Sequence, residues 1–481
     1  MQPYSLLRPI ALLAVFLAGC AIPPRPQAPQ LAQVAPLAGI PAKANAPWPS
    51  QEWWTQYGDR QLDALETRAL AGSPTLAVAR ARFDEALKSV DVARAAGGLS
   101  IDGNAEVQRH RLSEHGLIPS EFLGFTWYNQ GDLGLQFNYD FDFWGSQGAQ
   151  ISAALDKARA AAAERDSAAS MLTAAVADTY FGWQATQVRL GLARDVVATT
   201  AQARDIAAAR VRQGVDSPDT VQHAESNLAA AREQVAMLDG VSQLQRAALA
   251  ALQGIALADL PKLAMQPLPG TGAAMPANAS LDLIARRADI AASRWRVEAA
   301  VRNVDVARDA FYPDLSLSGM VGLSSIDLGK LLSPGSTEVA VGPALHLPIF
   351  ENGRLKARFG VSRARLASAV ATYNSTISEA TQEVARQVLT IEQLKARRQV
   401  HAAQLSAARK LQTTAQARAR RGVTDARPVL AATVELDRQR DADAQLVAAT
   451  LSADIALTRA LGGGFRDHAT SIEASSGATT R

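Results

Sequence analysis

The chain is written as one unit repeated twice, and this duplication constrains the fold more than any other feature. The phrase ARVRQGV ends at Val215, and the similar phrase ARARRGV ends 208 residues later at Val423. Further upstream, VDVAR at 90–94 recurs at 304–308, which is an offset of 214 residues. The change in offset indicates a short insertion between these blocks. Each copy therefore predicts the same order of elements: helix, strand, loop, strand, very long helix, turn and helix.

The predicted strands alternate strictly between apolar and polar residues. Between Leu133 and Phe143, apolar side chains are separated by polar ones such as Gln136, Asn138 and Asp140. Strands are predicted near 98–110, 131–144, 313–325 and 337–350. This alternation is typical of a soluble sheet with one buried face, and also of a transmembrane β-barrel with lipid outside and water inside.

Four strands are too few to close a barrel, and an open sheet edge in lipid leaves backbone groups without partners. The sequence therefore predicts that several copies of the chain share one barrel. Two copies give eight strands and an interior filled by side chains, whereas three give twelve strands and a lumen. The polar face of the strands favours the twelve-stranded barrel. Together with the helices predicted in each copy, this barrel makes the chain an α+β membrane protein.

One very long helix, followed by a turn and a returning helix, forms the second part of each copy. No proline interrupts the alanine-rich stretch from Ser146 to Gln213, which predicts a helix of roughly 100 Å. Its larger apolar residues recur at the spacing of a coiled-coil seam, at Leu172, Val176, Tyr180, Trp183, Leu190 and Val197. The stretch from Leu355 to Arg421 repeats this design. Gly214 and Gly422 follow the helices, where glycine suits the left-handed backbone of a helix C-terminus. The predicted helical hairpins cover 146–253 and 354–461.

The first fifty residues indicate where the protein is targeted rather than how it folds. A positive Arg8 and an apolar stretch from Ile10 to Leu17 are typical of a signal peptide over 1–19. The ending Leu-Ala-Gly-Cys resembles the bacterial lipobox, which implies cleavage before Cys20, acylation of its thiol and anchoring in outer-membrane lipid. A plain signal peptide beside a coincidental cysteine is the alternative. The proline-rich residues 20–50 are predicted to be a tether.

These observations divide the chain into six parts. They are a signal peptide (1–19), a lipidated tether (20–50), the first repeat (51–260), a linker (261–279), the second repeat (280–463) and a tail (464–481).

Composition and motifs exclude several classes of function. The 49 basic residues nearly balance 46 acidic ones, which argues against nucleic acid as a partner. The single cysteine excludes a disulfide framework. His110 and His115 lie five residues apart in a predicted loop, which is weak support for a metal site. No nucleophile elbow or phosphate-binding loop occurs in the sequence. We therefore predict neither an enzyme nor a cofactor.

Four phrases resemble the TolC-like outer-membrane efflux channels, in the NodT-like lipoprotein branch. They are WWTQYGDRQLDALETRAL from Trp53, FDFWG at 141–145, FYPDLSLSG from Phe311 and LPIFENGRLKA from Leu347. The resemblance implies a homotrimer with a twelve-stranded barrel in the outer membrane and an α-helical barrel in the periplasm. It also implies a passive conduit for drugs or other small toxic compounds, working with a periplasmic adaptor and an inner-membrane RND-type transporter. A type I secretion outlet and a structural trimeric coiled-coil lipoprotein are the alternatives.

The resemblance also suggests a gate near the second helical turn. Such channels often carry aspartates six and nine residues after the turn glycine, where this chain has Pro428 and Ala431. Asp425 and Glu435 lie close by, and Arg427 stands where relatives often have an apolar residue. We therefore predict that pairs between Arg427 and neighbouring carboxylates hold the gate closed. Alternatively, Arg427 is a solvated residue facing the periplasm.

Six residues of the two turns match the tips that contact the adaptor in relatives: Arg212, Gly214, Val215, Arg420, Gly422 and Val423. Their alternative role is helix termination, with arginines placed favourably at the negative end of each helix.

Overall fold

A computed structural model of the chain describes residues 22–24, 29–32, 39–43, 46–113, 120–272, 274–277 and 279–466. The predicted signal peptide and Cys20 lie outside the described residues, as do 467–481. The predicted tether is described only in part.

The described residues form nine α-helices and four β-strands. The helices are α1 (Arg60–Gly72), α2 (Pro74–Ala95), α3 (Ser120–Leu123), α4 (Ser146–Arg212), α5 (Asp219–Gln253), α6 (Ala279–Arg286), α7 (Ala288–Asp309), α8 (Arg354–Arg420) and α9 (Arg427–Ala460). The strands are β1 (Ser100–Arg111), β2 (Trp127–Phe141), β3 (Asp314–Ser325) and β4 (Thr337–His346). Short 3₁₀ helices cover Trp53–Tyr57, Leu257–Asp259, Leu328–Lys330 and Pro334–Ser336. Among these residues, no helix combines enough length and apolar character to cross a membrane.

The four strands form one antiparallel sheet in the order β1-β2-β3-β4. Two strand predictions were wrong at their ends. β2 spans Trp127–Phe141 rather than 131–144. It starts early because Trp127 pairs with Arg111 at the end of β1. It stops early because the next residue, Asp142, accepts hydrogen bonds from the backbone amides of Gln147 and Gly148 at the start of α4, a favourable place for a carboxylate.

β4 ends at His346 rather than near 350. Its last residue pairs with Asp314, the first residue of β3, so no partner strand extends further. Two residues on, Pro348 has no backbone amide to donate to a sheet.

The pairing sorts the strand side chains onto two different faces. Ile101 lies opposite Phe137, Leu135 opposite Val321, and Val321 in turn opposite Val339. Directly opposed residues share a face, so one face is apolar across all four strands. It is also open, since Ile101 is 62% exposed and Val339 is 66% exposed. The other face carries mainly polar or small residues, among them Asp102, Asn104, Gln136, Asn138, Ser318 and Gly342.

The described residues divide into two compact units. The first includes Asp84–Ala158 and Arg294–Thr372, and thus contains the whole sheet with the helix ends that lead into it. The Trp144 ring stacks on Tyr312 at 4.5 Å, and its indole nitrogen donates to the Pro313 carbonyl at 2.7 Å. These contacts fix the place where the chain leaves β2 and where it enters β3.

The second unit takes in the described residues of Leu31–Phe83, Arg159–Ser293 and Tyr373–Arg481. Its core joins the segment around Trp53 and Trp54 to α1, α4, α5 and α9. The predicted coiled-coil seam of α4 is buried at Leu172, Val176, Tyr180, Trp183 and Leu190. Each of the two long helices, α4 and α8, has 67 residues and ends in the turn of a helical hairpin.

Candidate gate at the helical hairpin turns

The two hairpin turns have the same backbone. Gly214 has φ of +69° and Gly422 has φ of +70°, as expected from the sequence. In the first turn, the amide of Val215 donates to the Arg210 carbonyl at 2.9 Å. In the second, the amide of Val423 donates to the Arg418 carbonyl at 3.0 Å. These bonds close Schellman motifs, which end a helix abruptly with a residue in the left-handed region.

Four charged side chains join the two turns. Arg210 of the first hairpin binds Asp216 with both ends of its guanidinium, through Nε to Oδ2 at 2.7 Å and Nη2 to Oδ1 at 3.0 Å. Arg427 of the second hairpin binds Oδ2 of Asp425 through both Nε and Nη2 at 2.8 Å. We call these four residues the tip quartet.

The quartet is closed by two longer contacts between the hairpins. Nη1 of Arg427 lies 3.7 Å from Oδ2 of Asp216, and Nη1 of Arg210 lies 4.0 Å from Oδ2 of Asp425. Charges of opposite sign therefore alternate around the ring. Arg427 and Asp425 are both nearly half exposed, so water and salt weaken these pairs.

The quartet shifts the ionisation of its acids. Hydrogen bonds from Arg210 lower the pKa of Asp216, with further help from the nearby positive charges and against partial desolvation. Hydrogen bonds from the side chain and backbone of Arg427 lower the pKa of Asp425 in the same way. Both carboxyls therefore stay charged well below neutral pH.

The other predicted gate residues do not join the quartet. Pro428 occupies the first turn of α9, where a missing amide costs nothing. Glu435 accepts a hydrogen bond from Gln439 at 2.8 Å, and buried Asp437 pairs with Arg440 at 3.0 Å. Of the three acids closest to Arg427 in sequence, only Asp425 contacts it. The six predicted tip residues also stay outside the quartet, and Val215 and Val423 are well exposed there.

Arg427 and Ala431 line a groove of about 910 Å³ between α9 and the first hairpin. Further from the turns, the groove is bridged where Nε of Arg189 on α4 meets Oδ1 of Asp441 on α9 at 2.7 Å. The two hairpins are thus linked by charges at two levels, with small and apolar side chains such as Leu192, Ala193 and Val434 between them.

Sequence reasoning missed Arg210 and Asp216. The repeat held a signal for Asp216 only, since Arg210 corresponds to another arginine, Arg418. At an offset of 208 residues, Asp216 corresponds to Thr424, and Arg427 corresponds to Asp219. Positions where two similar copies differ in charge are good candidates for contacts between the copies. The described residues contain no cluster of His, Cys, Asp and Glu suited to a metal ion.

Comparison with known proteins shows which family shares this architecture. The family model described as "Outer membrane efflux protein" matches the chain twice, over residues 65–255 and 280–463. The multidrug resistance outer membrane protein MdtQ of Escherichia coli O6:H1 is 31% identical over 471 residues, covering 94% of this chain and 97% of that protein. The outer membrane protein VceC of Vibrio cholerae is 31% identical in sequence and superposes with a TM-score of 0.77, covering 87% of this chain and 100% of VceC.

The fold extends to more distant proteins. The outer membrane channel CmeC of Campylobacter jejuni has a TM-score of 0.83 at 20% identity, covering 95% of this chain and 98% of CmeC. Long paired helices, a two-faced sheet and these likenesses together define an outer-membrane channel. The chain belongs to the outer membrane efflux protein family, whose members are channels rather than enzymes. Its function is efflux across the outer membrane.

Proposed function

We propose that three copies of this chain form one passive channel, with a shared twelve-stranded barrel in the outer membrane and a helical barrel in the periplasm. The observation that carries this proposal is the sheet, which is apolar and exposed on one face and polar on the other. Its outer strands β1 and β4 each pair on one side only within the described residues. In lipid, such edges need partners.

Two arguments support three copies rather than two. Eight strands make a barrel whose interior is just filled by side chains, whereas twelve leave an aqueous lumen. The inner face here carries Asp102, Glu106, Asp132 and Asp140, which need water or ionic partners. Of these, Asp132 accepts a hydrogen bond from Ser324 at 2.7 Å on the same face.

Disulfide cross-linking tests the shared barrel. Asn104 in β1 and Gly342 in β4 lie on the polar face of the two edge strands, and both are replaced by cysteine. Oxidation of the double variant is expected to give bands of two and three chains on a denaturing gel, and none larger. Placing the β4 cysteine at Ala340 or Ala344 instead, on the same polar face, tests the other registers in which β1 of one chain pairs with β4 of its neighbour.

The matched control places both cysteines inside one sheet. Gln136 in β2 and Met320 in β3 are directly opposed, so Gln136→Cys with Met320→Cys cross-links within one chain and gives no ladder. A monodisperse monomer by light scattering in mild detergent, or a ladder that ends at two chains, would contradict the trimer.

We propose that the tip quartet holds the periplasmic end of the channel closed. Its long contacts join Arg427 to Asp216 across the two hairpins, so separating the hairpins breaks attractions between opposite charges. This keeps the predicted role of arginine–carboxylate pairs, and adds the acid on the neighbouring hairpin that the sequence did not reveal.

Planar bilayer recordings in asymmetric salt test the gate with variants of opposite charge. Arg427→Ala is expected to raise open probability and to shift selectivity towards cations. Asp216→Asn is expected to raise open probability too, but to shift selectivity towards anions. Arg409→Ala, higher on α8, is the control and is expected to change neither. Unchanged conductance and reversal potential in Arg427→Ala would assign that residue to the solvated outer surface.

We further propose that Cys20 is acylated and that the exposed tip residues Val215 and Val423 contact a periplasmic adaptor served by an RND-type transporter. Metabolic labelling with palmitate is expected to mark the parent protein and not Cys20→Ser. Persistent label in the variant would disprove the anchor. Val215→Asp with Val423→Asp is expected to lose co-purification with the adaptor while single-channel conductance remains.

The proposed cargo is drugs or other small toxic compounds, because the relatives are named for multidrug resistance. Deleting the gene is expected to lower the minimum inhibitory concentrations of several unrelated drugs, and the intact gene is expected to restore them. A purified protein without any conductance would favour the structural coiled-coil lipoprotein instead. Loss of a secreted protein without a change in drug tolerance would favour a type I secretion outlet.

A further inference from the structure

The apolar face of the sheet carries charge at one place. Across the four strands, the residues on this face are apolar, small or uncharged except for Arg109 and Arg111. Both lie on β1, two positions apart, so both point to the same side as Val107. Both are exposed.

Trp127 on β2 completes this cluster. Arg111 is directly opposite Trp127 in the pairing of the strands, and Arg109 is diagonal to it. The Arg109 guanidinium carbon lies 5.4 Å from the centre of the indole ring, which is within the range of a cation–π interaction. The indole remains about half exposed, so the cluster is open to a ligand beside the sheet. We call Arg109, Arg111 and Trp127 the rim cluster.

The rim cluster lies at the end of the sheet that is far from the long helices. β1 follows α2 and begins at Ser100, whereas Arg111 is its last residue. β2 begins at Trp127 and runs back towards α4. In the proposed channel, the long helices lie in the periplasm, so this end of the barrel meets the outer leaflet of the membrane.

Position and chemistry together select a ligand. A charged side chain on the lipid face of a barrel is costly at the middle of the bilayer but nearly free of cost near the interface. A guanidinium also binds phosphate oxygens through two parallel hydrogen bonds. We propose that the rim cluster binds the phosphate groups of an outer-leaflet lipid, with the two arginines on phosphate and the indole against the lipid body. This inference rests on the proposed barrel and its orientation.

Native mass spectrometry of the purified channel in detergent tests the proposal, with diphosphoryl lipid A as the probe. Arg109→Gln with Arg111→Gln is expected to weaken lipid A binding at least tenfold. The conservative pair Arg109→Lys with Arg111→Lys keeps the charge but loses the paired hydrogen bonds, so an intermediate loss is expected. Zwitterionic phosphatidylcholine is expected to bind the parent and the glutamine variant equally.

The control is Arg397→Gln with Arg398→Gln, which removes the same charge from an exposed stretch of α8. It is expected to bind lipid A like the parent. Equal binding by the rim variant and the parent would overturn the proposal, as would equal loss in the control, which would mean attraction by net charge alone. Conductance and subunit number are measured on the same samples. A parent protein without conductance, or without three subunits, would refute the channel itself. A conducting trimer whose rim variant binds lipid A like the parent would refute the rim cluster alone.

Discussion

The two halves of the chain share an apolar seam but differ in the polar contacts that fix it. Val176 and Val384 correspond at an offset of 208 residues, and both are fully buried. Four residues further on, the first half has Tyr180 where the second has Val388, also buried. The Tyr180 hydroxyl donates to Asp59 at 2.6 Å and accepts from the side-chain amides of Gln61 and Gln184.

The second half instead uses ion pairs around the buried Arg287. Arg287 binds Asp289 through two hydrogen bonds of 2.6 and 3.0 Å, and reaches Glu383 on α8 at 3.1 Å. Arg459 on α9 contacts the same Glu383. Burial opposes ionisation of Asp289, but Arg287 outweighs it and the pKa of Asp289 is lowered.

At the matching positions the first half has no charge. Glu383 corresponds to Ala175 and Arg459 to Ala251 at the same offset. The repeat therefore preserves the seam between helices, while each half has its own polar contacts to the segment that packs on it. The first network holds the segment that leads into α1, and the second holds the start of α7.

The largest effect is expected from the second network. Arg287→Met removes the buried guanidinium that pairs with Asp289 and Glu383. We expect a cost of about 3 kcal/mol, the lower end of the range for breaking a buried pair, because Glu383 keeps Arg459 and Asp289 is partly exposed to water. We expect a drop of many degrees in the apparent unfolding temperature in detergent. Arg286→Met is the control, because Arg286 is only partly buried and lies over the Trp48 ring at 4.5 Å. Equal melting of both variants would show that the network does not stabilise the second half.

The first half contains an acid that lacks such compensation. Glu66 on α1 is fully buried, and neither carboxyl oxygen has a hydrogen-bond partner. Burial, followed by the charge of Asp63, raises the pKa of Glu66 to about 9. The folded protein therefore binds a proton that the unfolded chain releases above its ordinary pKa, and stability falls as the pH rises towards 9.

Glu66→Gln is expected to remove this dependence. Between pH 5 and 8 the free energy of unfolding of the parent should fall by at most about 4 kcal/mol through Glu66, since one pKa unit corresponds to about 1.4 kcal/mol. The melting temperature of the variant should exceed that of the parent by more at pH 8 than at pH 5. A constant difference across this range would mean that Glu66 does not titrate with folding.

A smaller effect is expected at the tyrosine of the first network. Tyr180→Phe keeps the ring in the core but leaves Asp59, Gln61 and Gln184 without the hydroxyl, which typically costs about 1–3 kcal/mol. Val388→Ala probes the corresponding position of the second half, where only packing is lost. Adding Asp59→Asn to Tyr180→Phe removes the carboxylate that has lost its hydroxyl partner. We expect it to restore stability at most in part, because Asp59 also accepts hydrogen bonds from backbone amides at the start of α1. Full retention of the parent melting temperature in Tyr180→Phe would contradict a stabilising network.

Periodicity alone predicted the long helices, the sheet and the turn glycines, because these depend on patterns within a short stretch of chain. It also predicted the buried seam from Leu172 to Leu190. It could not find Asp216 as a partner of Arg427, or Glu383 as a partner of Arg287, since each pair joins residues far apart in sequence. The C-terminal end of β2 depended on the capping role of Asp142, which alternation does not encode.

The smallest effect on stability is expected at the tip quartet, where the charges compensate one another and Arg427 and Asp425 are nearly half exposed. Arg210 and Arg427 lower the pKa of Asp216 and Asp425, so both acids stay charged from pH 5 to 8 and are protonated only as the pH falls below their ordinary range. Channel conductance of the parent should therefore be constant over this window. Asp216→Asn should open the channel more often by the same factor at pH 5 and pH 8, with no measurable change in melting temperature. The contrast with Glu66→Gln is the decisive comparison, because only the uncompensated acid should give a pH-dependent difference. A gating change in Asp216→Asn that disappears at pH 5 would show that Asp216 is not held in its charged form.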